Sequence, residues 1–471
     1  MLPPLIQRPR TNAASRPKER GFTMALVTVA LVSILAMAAL SIDIGTLYQA
    51  KAEAQRAADA AALAAARVIS ISGITGDPAN IASSWQPTCG GTGSAATLVA
   101  QNVAWQNLIA GAQASTVNVY YGTNAGVGTN TDCTSLGTSF GVNPIVMVYV
   151  QQAKLPTFFA RVFSLIPTGT SSNSGVSATA TAEAFNPSGS GTPLASDMKP
   201  VQPRCVKPWI IPNFDPGNAT APNHFVSPDD GTVVRPGVLQ KGGGVIGETF
   251  SLDAGCKPGP NSCNGGNRTF PPWYNAPYLS YVPAAVSGNP GAVPSCTSAD
   301  VYQEAIAGCD QNTRYTCGTP SGAAGATTLD LNENPVNPDR ITGDTSTATQ
   351  CLINRSAGTA ANDFLDTTTF PFQIKAGSGN PLVPVIVSAN AVVTTSNSIV
   401  TLPIFDNGAP LGSSPSPPVT IVGFLQVFIN NVDPTGHLNI TVLNVAGCSN
   451  NAANSPVTGT SPVPVRLVTR P

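Results

Sequence analysis

Charge is what this sequence has least of. Asp, Glu, Lys and Arg make up 10% of its 471 residues, against about 25% in an ordinary soluble protein. That excludes a coiled coil throughout and argues against an ordinary helical cytosolic enzyme. A basic footprint is missing as well: the formal charge is −1 and the pI about 6.1, whereas nucleic-acid binders cluster Lys and Arg to neutralise phosphates. No nucleic-acid partner is expected. Histidine is nearly absent, with two in the chain, and the closest cysteine pairs are C-x6-C (256 and 263) and C-x7-C (309 and 317). Zinc sites need shorter paired spacings or more imidazoles, so no metal is expected on that ground. In place of these residues stand 44 glycines and 43 prolines.

The few charges are unevenly placed. Residues 1–20 carry five basic side chains (Arg8, Arg10, Arg16, Lys18, Arg20) against one acid, Glu19. Gly21 to Ile42 follows, 22 residues without a charge, which as a helix rises about 33 Å and matches a hydrocarbon core of about 30 Å. Only Lys51 and Arg56 follow at short range, so the positive-inside rule puts the N-terminus in the cytoplasm and the bulk of the chain outside. Ala36-Met37-Ala38 offers a rival reading, a signal-peptide cleavage site behind an apolar run. The retained anchor is preferred, because the apolar pattern runs on through Leu40 and Ile42 and continues as helix.

All ten cysteines lie beyond residue 88, on the side that this topology exports, and an even count there reads as disulfides. Cys256 with Cys263, and Cys309 with Cys317, are the expected local pairs, each closing a short loop. Cys89 and Cys133 make a third candidate, while Cys205, Cys296, Cys351 and Cys448 leave three pairings open.

A helix is expected from about Phe22 to Ile69, since the stretch after Asp43 is built from Ala, Leu, Gln, Glu, Lys and Arg. Ala50, Ala54, Ala57, Ala61, Ala64 and Val68 recur at three- and four-residue steps, a small-residue face that serves equally for the helix's own domain or for a partner helix. Glu53 and Arg56 are placed to pair on the outer side. Asp43 stands where the helix leaves the bilayer, either as an acid reaching water or as a partner for a basic group. Further on, the spacing predicts a helix over 95–112, strands at 117–121, 145–150 and 176–184, and an amphipathic helix over 156–166. After the linker-like 186–193, strands are expected at 382–389, 398–405, 419–430 and 438–445.

Arg20-Gly21, the apolar span, Asp43, Gly45, Tyr48, Gln55 and the run Asp59-Ala60-Ala61-Ala62-Leu63-Ala64 resemble the N-terminal signature of TadG-like proteins of the bacterial Flp/Tad (tight adherence) pilus-assembly system. The resemblance is dense over residues 20–67 and looser beyond. It implies a bitopic envelope protein with a minor-pilin-like body, other pilus-assembly or minor-pilin proteins as partners, and no reaction. Two departures stand out. Prepilins carry Glu five residues into the mature chain, and here that position is Leu26. The metal-binding D-x-S-x-S of the von Willebrand factor A domain in some TadG-like proteins has only Asp344-Thr345-Ser346-Thr347-Ala348 as its nearest run, with Ala in place of the second Ser. Asp330-Leu331-Asn332-Glu333 opens like a calcium loop, but Pro335 and Ile341 occupy its critical positions, so a solvated turn is expected. Neither His224 nor His437 sits beside a recognisable nucleophile motif.

The expected architecture is α+β. A basic tail (1–20) leads into a transmembrane helix (21–43) with an Ala-rich extension (44–70). A pilin-like α+β unit (71–186) and a β-rich domain with disulfides (187–471) follow. The expected protein is a single-pass component of the bacterial inner membrane, structural in Flp/Tad pilus assembly or its secretion apparatus, not an enzyme, with no cofactor and no small-molecule substrate. An exported adhesin or binding protein with a cleaved N-terminus is the alternative, and an exported hydrolase, which would need an acidic cleft with paired carboxylates, comes third.

Overall fold

The computed structural model describes residues 20–72, 74–76, 85–123, 126–137, 140–141, 144–155, 175–184, 201–229, 231–255, 273–286, 300–310, 312–317, 327–333, 343–355, 361–368, 372–385, 387–393, 396–408, 410–411, 414–433, 436–448, 457–459, 463 and 465–468. The expected helix over 156–166, and Cys256, Cys263 and Cys296, lie outside the described residues.

Its longest element is a single helix, α1 (Arg20–Ser70, 51 residues), about 77 Å at 1.5 Å per residue. The helix has two halves. From Thr23 to Ile42 its side chains are exposed apart from the half-buried Ala39, including Val27 at 61%, Val32 at 59% and Leu35 at 60%. Thr28 and Ser33 return their hydroxyls to the carbonyls of Met24 and Val29, each at 2.8 Å, so neither hydroxyl needs water. From Ala50 onward one wide face is buried, with Ala54, Ala57, Ala58, Ala61, Ala62, Ala65 and Ala66 at zero exposure. Ala64 is half-buried instead, so the buried stripe is broader than the one the spacing predicts and rotated from it there.

That face lies on its own domain. α1 packs on α3 (Ala95–Gln106) and on a five-stranded sheet. The strands are β1 (Thr116–Thr123), β2 (Gly126–Val127), β3 (Ile145–Gln152), β4 (Val176–Ala184) and β19 (Val465–Leu467), in the order β19-β4-β3-β1-β2. Alternation along β1 sends Val117, Val119 and Tyr121 into this core, as the two-residue period of a strand requires. The helix expected over 95–112 stops at Gln106, where the Asn107 side chain donates to the Val103 carbonyl at 2.7 Å. Ala110 and Gly111 then turn with positive φ (51° and 79°), which a helix cannot accommodate.

The larger unit is a ring of strands. β6 (Trp209–Pro212), β14 (Ile399–Phe405), β16 (Ile421–Val432), β17 (Leu438–Gly447), β7 (Thr249–Ala254) and β9 (Tyr278–Pro283) are neighbours in that order, and β6 pairs with β9 to close the barrel. Leu425, Val427 and Ile429 of β16 join the core with Trp209, Phe250, Leu402 and Ile440. The other face of β16 is covered too, Phe424 by Phe405, Tyr315 and Leu329, and Phe428 by Leu365, Ile374 and Val393. Burial on both faces explains why this strand reads as a continuous apolar run. A strand over 382–389 does not form. Residues 381–385 are turns and Val385 is 83% exposed, because Pro381 and Pro384 lack the amide hydrogens that a ladder needs.

Two features cross the expected boundary at residue 187. The chain's last described strand, β19, returns to pair antiparallel with β4 of the first unit, Val465 opposite Ala184 and Leu467 opposite Ala182. At the end of α1, the Ser70 carbonyl accepts a hydrogen bond from the buried Asn444 of β17.

Disulfides join Cys89 to Cys133, Cys205 to Cys309 and Cys317 to Cys448, and Cys351 is also bonded. The expected short loop between Cys309 and Cys317 is therefore not made. Cys317 forms a parallel bridge to Ile421, and Cys448 donates its amide to Val422 next door, so strand register, not sequence proximity, brings those thiols together.

Candidate functional site: the membrane-proximal helix and its seam

Where the helix leaves its exposed apolar stretch, the signature residues divide by direction. Asp43 is 2% exposed although Ile42 and Ile44 beside it are open, so it does not reach water as a simple boundary acid would. Tyr48 is 75% exposed, and a Cβ on Gly45 would meet nothing within 4 Å. Of Arg20 and Gly21, only the helical backbone is described.

Further along, the helix is tied to the free edge of β4. Three successive outward carbonyls of that strand, at Ser177, Thr179 and Thr181, need donors. Lys51 Nζ donates to the first, Gln55 Nε2 to the second at 3.2 Å, and the Val468 amide to the third at 2.8 Å. Gln55 also donates to Asp59 Oδ1 at 2.8 Å, which orients its amide. Sequence reasoning singled out Gln55 and Asp59 by resemblance, and the structure gives them a joint task of satisfying a sheet edge. Lys51 was missed, since nothing in a helical pattern announces a distant carbonyl. Glu53, expected to pair with Arg56, feels that charge, and it also accepts the Ala110 amide at 2.7 Å and the Gln49 side-chain amide at 3.0 Å, joining α1 to the turn after α3.

The alanine seam is what allows this approach. Small side chains let the helix lie close to the sheet, so added volume should be costly. Replacing Ala61 with Leu is expected to lower stability by about 1 to 3 kcal/mol through overpacking, measured as a shift in denaturant midpoint of detergent-extracted protein. Ala52→Leu, on the exposed side, should leave the midpoint unchanged.

Polar clusters away from the seam have structural partners. Arg235 contacts both oxygens of Asp215 (3.0 and 2.9 Å) and Glu248 Oε2 at 3.2 Å. Burial pushes the Glu248 carboxyl up to about 7, and the neighbouring Asp215 adds to the shift. This is a carboxylate pair, as the hydrolase reading requires, but its side chains are 1% and 9% exposed and clamped by a guanidinium. Burial likewise lowers the Lys207 ammonium to about 7, and its Nζ donates to the Gly308 carbonyl at 2.7 Å. His437 stacks on Tyr278 with ring centroids 4.0 Å apart, its Nδ1 3.0 Å from Asp433 Oδ2. Asp344 opens a short helix (Asp344–Leu352), and the Thr345 hydroxyl engages those of Tyr281 and Tyr302, so the run at 344–348 is a helix start. Asp330 Oδ1 accepts the amides of Asn332 and Glu333, a local turn.

An exposed apolar half-helix continuous with a buried half is consistent with membrane anchoring. The helix is long and apolar enough to cross a bilayer, with a mean hydropathy of 2.5 in its most apolar window. Residues 21–68 match the Tad family model, described as Flp pilus-assembly TadE/G-like; the match covers the span, the signature and the seam together. None of the curated proteins and none of the solved structures matches the chain. The matched family is one of pilus assembly rather than of a reaction.

Proposed function

We propose that this protein is a single-pass inner-membrane component with its N-terminus in the cytoplasm and its bulk outside, acting as a scaffold in Flp/Tad pilus assembly or the associated secretion apparatus. The observation that carries this reading is the continuity of α1. The element that fits the bilayer is the same one whose alanine face is locked to the sheet, so the body is held at a fixed height and orientation on the membrane. Tyr48 and the open side of Gly45 present the outward part of the signature at that level, where aromatic side chains favour the interface. Other pilus-assembly or minor-pilin proteins are the partners such a surface suits.

Protease treatment of spheroplasts, with tags at both ends, tests the topology. The C-terminal tag should be digested from outside, the N-terminal tag protected, and the chain retained in the inner-membrane fraction. Release of the C-terminal half from that membrane, with an N-terminus at Ala39, would instead support the adhesin reading. An N-terminus at Phe22 would mark prepilin-type processing.

A further inference from the structure

Three carboxylates from separate segments converge beside the barrel. Candidate ligand oxygens of Asp300, Glu333 and Asp344 all lie within 4.8 Å of one another, and each residue is half-buried. Each is held by its own local structure. Asp300 caps the helix Val301–Ala307, with Oδ1 accepting the Tyr302 and Gln303 amides. Asp344 is the first residue of the next helix. Glu333 ends the turn organised by Asp330. Burial raises the pKa of the Tyr281 and Tyr302 hydroxyls, and the Glu333 charge adds to it.

A second observation points at a ligand. Gln303 is 7% exposed, and its side-chain Oε1 is buried without a hydrogen-bond partner. The same amide is fixed against the cluster, because Nε2 donates to Asp344 Oδ1 at 2.6 Å. A buried amide oxygen left unmatched beside a group of carboxylates is a position that a bound ion can satisfy. Two ligands of one calcium ion, each about 2.3 to 2.6 Å from it, stand up to about 5 Å apart, so the observed spread needs little adjustment. Burial raises the Asp344 pKa, and the charge of Asp300 adds to it, a repulsion that a bound cation would offset.

We propose that Asp300, Glu333 and Asp344, with the Gln303 amide oxygen, bind a divalent hard cation of calcium's size and so tie the two short helices to the 327–333 segment. All four ligands are oxygens, as calcium prefers, and half-burial leaves room for water to complete its shell.

The test uses the full chain in detergent, first treated with chelator and then titrated with calcium or magnesium. Terbium, emitting through energy transfer from Tyr281 and Tyr302, reports occupancy independently of stability. Calcium should displace terbium with an affinity of roughly 10⁻⁴ to 10⁻³ M, the range of extracellular sites, and should raise Tm. Glu333→Gln, which keeps shape and removes one charge, should weaken calcium binding about tenfold or more while the chelated protein melts as the wild type does. The proposal is overturned by absence of sensitised terbium emission, by equal responses of wild type and Glu333→Gln, or by magnesium matching calcium.

Discussion

Val32→Arg is expected to remove the protein from the membrane fraction. Val32 lies in the middle of the charge-free span and is 59% exposed, so in a bilayer its side chain would face lipid. Arg at a helix centre costs about 2.5 to 3.5 kcal/mol on the insertion scale, and the 22-residue span has no second apolar helix among the described residues to compensate. Snorkelling reduces the cost but works best near helix ends, and Val32 is far from either edge. The amount of chain surviving an alkaline wash of the membranes measures the effect, with Val32→Leu as the control that should behave as wild type. Equal retention of both variants would show that the segment is not the anchor.

Replacing both Cys317 and Cys448 with Ser should remove a large share of the domain's net stability. The bond spans 131 residues, and loop-closure entropy for that length corresponds to about 5 kcal/mol at most, against a net stability of about 5 to 15 kcal/mol. It also joins the segment before β10 (Thr327–Thr328) to the end of β17, fixing one end of the barrel. The Cys89–Cys133 bond spans 44 residues, for which the same relation gives about 4 kcal/mol, so its removal should shift the denaturant midpoint less. Mass spectrometry of protein digested without reduction should recover peptides joining Cys205 to Cys309 and Cys317 to Cys448. A peptide linking Cys309 directly to Cys317 would refute this connectivity.

Local chemistry was legible in the sequence. A helix expected over 22–69 forms over 20–70, because its residues are either apolar enough for lipid or strong helix formers throughout. Strands expected at 117–121 and 145–150 form with short extensions, and the one at 176–184 forms with those bounds. Alternation and β-branched runs depend on neighbours a few residues away, and so survive in the linear text. The strand expected at 382–389 failed for a local reason that was also written there, Pro384 inside the run and Pro381 just before it.

What the sequence by itself determined, then, is the charge-free apolar span, the helix continuous with it, the α+β character and the Tad signature, all properties of contiguous residues. Only the tertiary structure decided the use of the alanine face, because small side chains suit a sheet as well as a partner helix and the choice depends on β3 and β4, about a hundred residues away. It alone decided the barrel, whose closing pair joins Ile210 to Val282, and the return of Val465–Leu467 to the edge of β4. Disulfide partners follow from that register, as does the meeting of Asp300, Glu333 and Asp344. Each of these contacts joins residues distant in sequence, and no local preference encodes which distant strand satisfies a free backbone edge.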